Sequence, residues 1–133
     1  MNKVKNIHSI ENIELVFIKP ENYEHILNAM IEAYPNMPES YWKEHHIKLL
    51  VDKFPEGQVG IKIDNEFAGF SFSIIVDYDK YKEKHTYNEI TGDFSFKTHN
   101  KNGNKLYGID VFIRPKYRGL RLGRRLYDYR KEL

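Results

Sequence analysis

Residues 107–126 read YGIDVFIRPKYRGLRLGRRL, and the fold is decided by how the second half of that stretch is understood. The first half is an aromatic and β-branched run closed by Arg114-Pro115, as a strand is. Beyond it, Leu122, Leu126, Tyr129 and Leu133 fall at i, i+4, i+7 and i+11, one apolar stripe of a helix. Gly119 and Gly123 lie between, four residues apart, so one can sit in the turn and one in the first helical turn. A helix start leaves backbone N–H groups without partners and carries the positive end of the helix dipole. Glycines there let a ligand approach the backbone, and arginines add charge, which suits a phosphate or pyrophosphate. The plainer alternative is a turn glycine beside an incidental helix glycine. The strand before and the amphipathic helix after favour the anion site.

Charge points the same way. The chain carries +2 in all, from 21 Lys and Arg against 19 Asp and Glu. Residues 114–133 hold eight basic and two acidic side chains, a net +6, which leaves 13 basic and 17 acidic over residues 1–113, a net −4. An anionic ligand for the C-terminal segment follows. A nucleic acid is the rival anion, with Tyr127 and Tyr129 interleaved among the arginines. No nucleic-acid motif accompanies that charge and the remainder is acidic, so no nucleic-acid partner is expected.

At 133 residues, 41% of them apolar with ten Tyr and eight Phe, the chain is one folded domain's worth. No apolar run is long enough to span a bilayer and the N-terminus lacks the apolar core of a signal peptide, so a cytoplasmic protein without a membrane partner is expected. Without cysteine there is no disulfide, thiolate metal site or Cys nucleophile. His45 and His46 are adjacent on a helical pattern and point apart, so no metal is expected. No Gly-x-Ser-x-Gly nucleophile motif occurs.

Outward from the opening stretch, periodicity predicts strands at residues 13–18, 58–63, 67–76 and 106–113, with a tight turn at residues 64–66. Helices are predicted at residues 21–34, 38–53 and 120–133. Residues 86–91 and 94–97 read as short strands, and residues 100–104 as a turn. The order is an α/β or α+β pattern around one sheet.

On residues 107–126 the chain resembles the acetyl-coenzyme A signature of the GNAT N-acetyltransferases. That signature is a strand, a hydrophobic-x-Pro-x-Tyr turn, then Arg/Gln-x-x-Gly-x-Gly/Ala. Residues 1–12 are polar and read as a flexible leader; the resemblance implies an acyl-CoA N-acyltransferase fold over residues 13–133. Its central sheet is mixed, mostly antiparallel and flanked by helices. It implies acetyl-CoA or coenzyme A as cofactor, with acetyl transfer to an amine of a small molecule or protein. Backbone groups of Val111, Phe112 and Ile113 would pair with the pantetheine arm. Amides of Arg118, Gly119, Leu120, Arg121, Leu122, Gly123 and Arg124 would hold the pyrophosphate.

Two departures accompany the resemblance. Arg121 stands where the family has its middle glycine. The family also continues past the signature helix with further strands and a helix that complete the acceptor side. On that reading a C-terminal part is missing, leaving the last helix to contact a further domain or a second copy in a homodimer. A finer resemblance is to the acetyltransferase-like domain ahead of a carbon–nitrogen hydrolase (nitrilase-like) domain in some bacterial proteins. It gives a second reading, a non-catalytic acyl-CoA-sensing or accessory domain.

Asp110, the one acid on its strand, is the candidate general base; the plainer reading is a hydrogen-bonded strand carboxylate. Glu89 is a weaker candidate of the same kind. Arg124, Arg125, Arg130 and Lys131 read as a solvated helix face, whereas Arg118 and Arg121 lie at the turn as phosphate neighbours. Phe67, Phe70 and Phe72 alternate imperfectly and read as core packing.

Overall fold

Asp64 and Asn65 both take positive φ, 50° and 69°, and their two-residue loop joins β2 (Val59–Ile63) to β3 (Glu66–Val76). The computed structural model describes residues 12–77, 87–92 and 94–131. The leader expected at residues 1–12 lies outside these except for Asn12, as do Thr86 and residues 132–133. β1 (Ile13–Phe17) and β4 (Lys105–Ile113) complete an antiparallel sheet in the order β1-β2-β3-β4.

The pattern of each strand explains its two faces. Helices α1 (Tyr23–Ala33) and α2 (Glu44–Lys53) pack Ile26, Met30, Ile47 and Leu50 against Phe70, Phe72, Ile74 and Phe112. The opposite face, with Val59, Ile61, Ile63 and Ala68, is covered by Leu122 and Leu126 of α4 (Leu122–Lys131). A register shift opposite Ile61 and Lys62 leaves Ala68 without a partner. That bulge brings Phe67 onto the same face as Phe70 and Phe72, which accounts for their imperfect alternation.

Three expected elements differ. Residues 38–53 are not one helix: a 3-10 turn at Pro38–Ser40 is followed by extended Tyr41 before α2 begins. The Trp42 N–H donates to Sδ of Met30 at 3.2 Å and its C=O accepts from the Tyr23 hydroxyl at 2.7 Å, which draws the segment out of helical form. The described part of residues 86–91 is a helical turn, α3 (Tyr87–Ile90), not a strand. Residues 94–97 form tight turns with Phe94 and Phe96 at φ 66° and 58°. Thr91 organises them, its C=O accepting from the Phe96 N–H at 2.9 Å and its Oγ1 from the Phe94 N–H at 3.3 Å. Such local bonding replaces a ladder. The following residues bond to β3 without forming a strand. Beyond the end of β2, the Ile75 N–H donates to Nδ1 of His99, and the Asn100 N–H donates to the Ile75 C=O.

Candidate functional site

β4 has β3 on one side only, and its other edge is open among the described residues. The Arg114 N–H donates to the Ala68 C=O at 2.8 Å. Alternation in an antiparallel ladder then directs the backbone groups of Phe112 and Asp110 toward Phe70 and Phe72, and those of Val111 and Ile113 toward the open edge. Of the three positions expected to meet a pantetheine arm, Val111 and Ile113 therefore present free-edge groups. Phe112 is engaged with β3, and its buried side chain fills the core.

A second bulge decides what stands beside that edge. Phe72 pairs with Asp110 and Ser73 with Gly108, so Ile109 is the extra residue. Strand alternation would place Ile109 and Asp110 on opposite faces; the bulge puts both toward α1 and α2. The Asp110 carboxylate there accepts from the Tyr34 hydroxyl at 3.2 Å and from the Trp42 indole Nε1 at 3.0 Å. Burial, then the neighbouring carboxylate, pushes the Tyr34 hydroxyl up to about 12, with Arg118 opposing in part, so Tyr34 is a standing donor. Asp110 is thus a hydrogen-bonded strand carboxylate that borders a cavity of about 370 Å³. Glu89 lies exposed on α3 and is not among the residues lining that cavity.

Past β4, a 3-10 turn (Pro115–Tyr117) leads to Gly119 at φ 90° and Arg121 at φ 59°. Two left-handed residues keep α4 from starting at Leu120 as expected; it starts at Leu122. Arg121 adopts the conformation that the glycine it replaces would favour. Its C=O accepts the first helical bond, from the Arg125 N–H at 3.2 Å, so the N–H groups of Leu122, Gly123 and Arg124 precede the ladder. The Arg118 amide is spent on the Pro115 C=O at 3.1 Å, so the amides left for an anion begin at Gly119. A Cβ built on Gly119 or Gly123 would meet nothing within 4 Å beyond the adjoining chain. The surface above the turn is open, and Arg118, Arg121 and Arg124 are exposed around it while Leu122 anchors the helix underneath. This donor set fits a pyrophosphate.

Arg130 departs from the solvated face expected for it. Its guanidinium lies over Gly108, where a Cβ would clash with it, and its Nε is buried. Burial lowers its pKa from the usual arginine value.

The turn is fixed by a knot that sequence spacing did not reveal. Arg114 reaches Glu32 at 3.1 Å, Glu66 at 2.6 Å and the Phe67 C=O at 3.0 Å, while Lys116 and the Tyr117 hydroxyl both reach Glu66 at 2.7 Å. Hydrogen bonds from Lys116 and Tyr117, joined by Arg114, hold the Glu66 carboxyl down at about 2. A larger cavity, about 630 Å³, opens here between α1 and the β2–β3 hairpin. Glu32, Glu66, Arg114 and Lys116 spend their charges on one another, so the cluster locks the turn to the hairpin.

Known proteins resemble this chain over most of its length. It is 34% identical over 116 residues to "Probable hydrolase YhcX" of Bacillus subtilis (strain 168), covering 87% of this chain and 22% of that protein. It is 30% identical over 112 residues to "Uncharacterized N-acetyltransferase YkwB" of the same organism, covering 83% and 50%. The chain thus spans half or less of the length of these relatives. Among solved structures, the loading GNATL domain of CurA from Lyngbya majuscula superposes with a TM-score of 0.74 at 17% identity, over 92% of this chain and 58% of that one. The GphF GNAT-like decarboxylase in complex with isobutyryl-CoA gives 0.73 at 13% identity, over 88% and 56%. No helix among the described residues is long and apolar enough to cross a membrane. The sequence model of the Acetyltransferase (GNAT) family matches residues 23–133, a span that takes in the bulged strand and the glycine turn, and the chain belongs to that family.

Proposed function

We propose that this chain binds acetyl-CoA along the open edge of β4 and the start of α4, and transfers the acetyl group to an amine. The run from Val111 to Gly123 carries this reading: two edge-facing backbone positions, a left-handed turn with open space above its glycine, then a helix start with unspent N–H groups. Val111 and Ile113 would bond the pantetheine arm as an added strand. Amides of Gly119, Leu120, Arg121, Leu122, Gly123 and Arg124 would meet the pyrophosphate, with the Arg118 and Arg121 side chains neutralising it. Bound there, acetyl-CoA supplies the activated acetyl group: the amine nitrogen bonds the carbonyl carbon, the carbon–sulfur bond breaks, and coenzyme A leaves as the thiol. The chain's own contribution is position and polarity. The Val111 N–H, the first edge-facing position after the bulge, is the candidate donor to the carbonyl oxygen. Asp110, with carboxylate lone pairs beyond its two bonds, is the candidate acceptor of the proton the amine sheds.

Calorimetric titration with acetyl-CoA and coenzyme A tests the binding. Saturable heat with both is expected, and no heat at millimolar cofactor in a folded sample overturns the reading.

One observation favours a second reading. The match to a protein named as a probable hydrolase covers only 22% of that protein, which suits an acyl-CoA-sensing or accessory domain within a larger one. Binding of acetyl-CoA without acetyl transfer to any of a panel of amines would select it.

A further inference from the structure

The sheet has a second open edge, at β1. Among the described residues β1 pairs with β2 alone, in an unbroken register that sets Ile13 opposite Ile63, Leu15 opposite Ile61 and Phe17 opposite Val59. The Ile18 N–H donates to the Gln58 C=O at 2.9 Å, and the Asp64 N–H to the Asn12 C=O at 3.0 Å. Alternation in an antiparallel ladder then turns the backbone groups of Asn12, Glu14, Val16 and Ile18 toward β2. Those of Ile13, Leu15 and Phe17 face outward.

The same three residues place apolar side chains on the α4 face of the sheet. Ile13 is half-buried against the cluster that holds Val59, Ile61 and Ile63, while Leu15 and Phe17 are 41% and 59% exposed. Edge strands are commonly guarded by a lysine, a proline or a bulge. β1 reads Ile13-Glu14-Leu15-Val16-Phe17 and has none of these. Its one charge, Glu14, lies on the other face, across from Lys62.

We infer that β1 pairs with β1 of a second copy of this chain, antiparallel about a two-fold axis through Leu15. The strand's self-complementarity selects that partner and that register. Leu15 of one copy faces Leu15 of the other, and Ile13 faces Phe17 on both sides, an isologous contact. All three pairs are of the hydrogen-bonded kind, each exchanging two bonds, because the outward backbone groups belong to these residues. Their side chains form one apolar stripe that takes Leu15 and Phe17 out of water. Glu14 faces Val16 of the other copy, so no like charges stand directly opposite, and Lys62 attends each carboxylate from β2. Moving the axis to Glu14 would set the two carboxylates against each other, and moving it to Val16 would set Ile13 against exposed Lys19. Two four-stranded sheets thus join into one, with each β4 edge and its glycine turn at an outer end, away from the interface. A five-residue pairing is small for a specific interface, so the dimer forms reversibly.

Sedimentation velocity from about 10 µM to about 1 mM chain reads the association, and hydrogen exchange followed by NMR reads the edge amides. Expected are a monomer–dimer equilibrium and protection of the Ile13, Leu15 and Phe17 N–H groups that rises with the dimer fraction. Leu15→Lys and Leu15→Glu each put like charges on the axis and should weaken association at least about tenfold. An equal mixture of the two variants puts opposite charges there and should recover it. Phe17→Lys, at the more exposed position, should weaken association too; if substitution at Leu15 unfolds β1, this variant and the parent's exchange pattern still decide. A chain that stays monomeric throughout, a dimer indifferent to these variants, or a mixture no tighter than either variant alone overturns the inference. Protection of the three amides in a monomer also overturns it, by giving the edge to another segment of the same chain.

Discussion

The indole Nε1 of Trp42 donates to the Asp110 carboxylate across 3.0 Å, joining residues 68 positions apart in sequence. The bond ties the loop between α1 and α2 to the bulge in β4, and the Tyr34 hydroxyl closes the same carboxylate from α1 at 3.2 Å. A hydrogen bond to a charged group contributes about 1.5–3 kcal/mol, and losing it leaves part of a half-buried charge unmet. Trp42→Phe, which keeps an aromatic ring but no donor, should lower stability by about 2–3 kcal/mol. Tyr34→Phe removes the longer bond and should cost about 1 kcal/mol. Urea denaturation followed by circular dichroism measures both.

Gly123 separates fold from ligand. It is helical, and a Cβ there would meet nothing within 4 Å beyond its own helix. Leucine is the better helix former by up to about 1 kcal/mol. Gly123→Leu should therefore melt no lower than the parent protein, while its side chain occupies the space assigned to the pyrophosphate. Loss of acetyl-CoA heat in a sample that melts normally is the expected result. Unchanged affinity would move the site away from this turn.

How much of this was legible in the sequence follows from what local pattern encodes. The four strands, the α1 stripe and the turn at Asp64 and Asn65 announce themselves by period and turn chemistry, and they stand within a residue or two of the expected bounds. The turn between β4 and α4 was legible because a strand, a proline, two glycines and an amphipathic helix lie in one contiguous stretch. Asp110 was visible as a lone acid, but not its partners. Tyr34 comes from α1 and Trp42 from the loop that follows it, and only the folded sheet brings them to the carboxylate. Trp42 fits a helical pattern locally, but tertiary bonds to Met30 and Tyr23 override it. Phe94 and Phe96 read as strand residues by composition, and Thr91 overrules them. The Glu66 knot was missed for the same reason: its partners come from separate elements that only the folded sheet brings together.

Arg121 carries backbone strain that glycine would relieve. At φ 59° an L side chain costs roughly 1–2 kcal/mol relative to glycine, and this side chain is exposed, so little packing is lost on removing it. Arg121→Gly should raise stability by about 1 kcal/mol and still bind acetyl-CoA through the same amides. Thermal melting together with calorimetry checks both parts. A drop in melting temperature would mean that the arginine side chain makes a stabilising contact worth more than the strain.

Two imidazoles contribute to the response to acid. Nδ1 of His46 accepts the Lys43 N–H and Nδ1 of His99 accepts the Ile75 N–H, so the folded state needs both nitrogens unprotonated. Burial is the main cause that lowers each pKa; at His99, Glu56 opposes it and Lys53 adds to it. In the unfolded chain the same groups titrate near about 6.5. Below that pH the unfolded state takes up protons that the folded state refuses, so stability falls as pH falls, and above it these two residues contribute no slope. Glu66 acts in the same direction lower down: with its carboxyl held at about 2, stability is lost again as pH drops from the ordinary carboxylate range toward that value. The melting temperature should therefore decline from about pH 7 to about pH 5, and the His46→Asn/His99→Asn double variant, whose amide oxygens still accept but do not titrate, should flatten that decline. An equal decline in the double variant would assign the acid sensitivity to other groups.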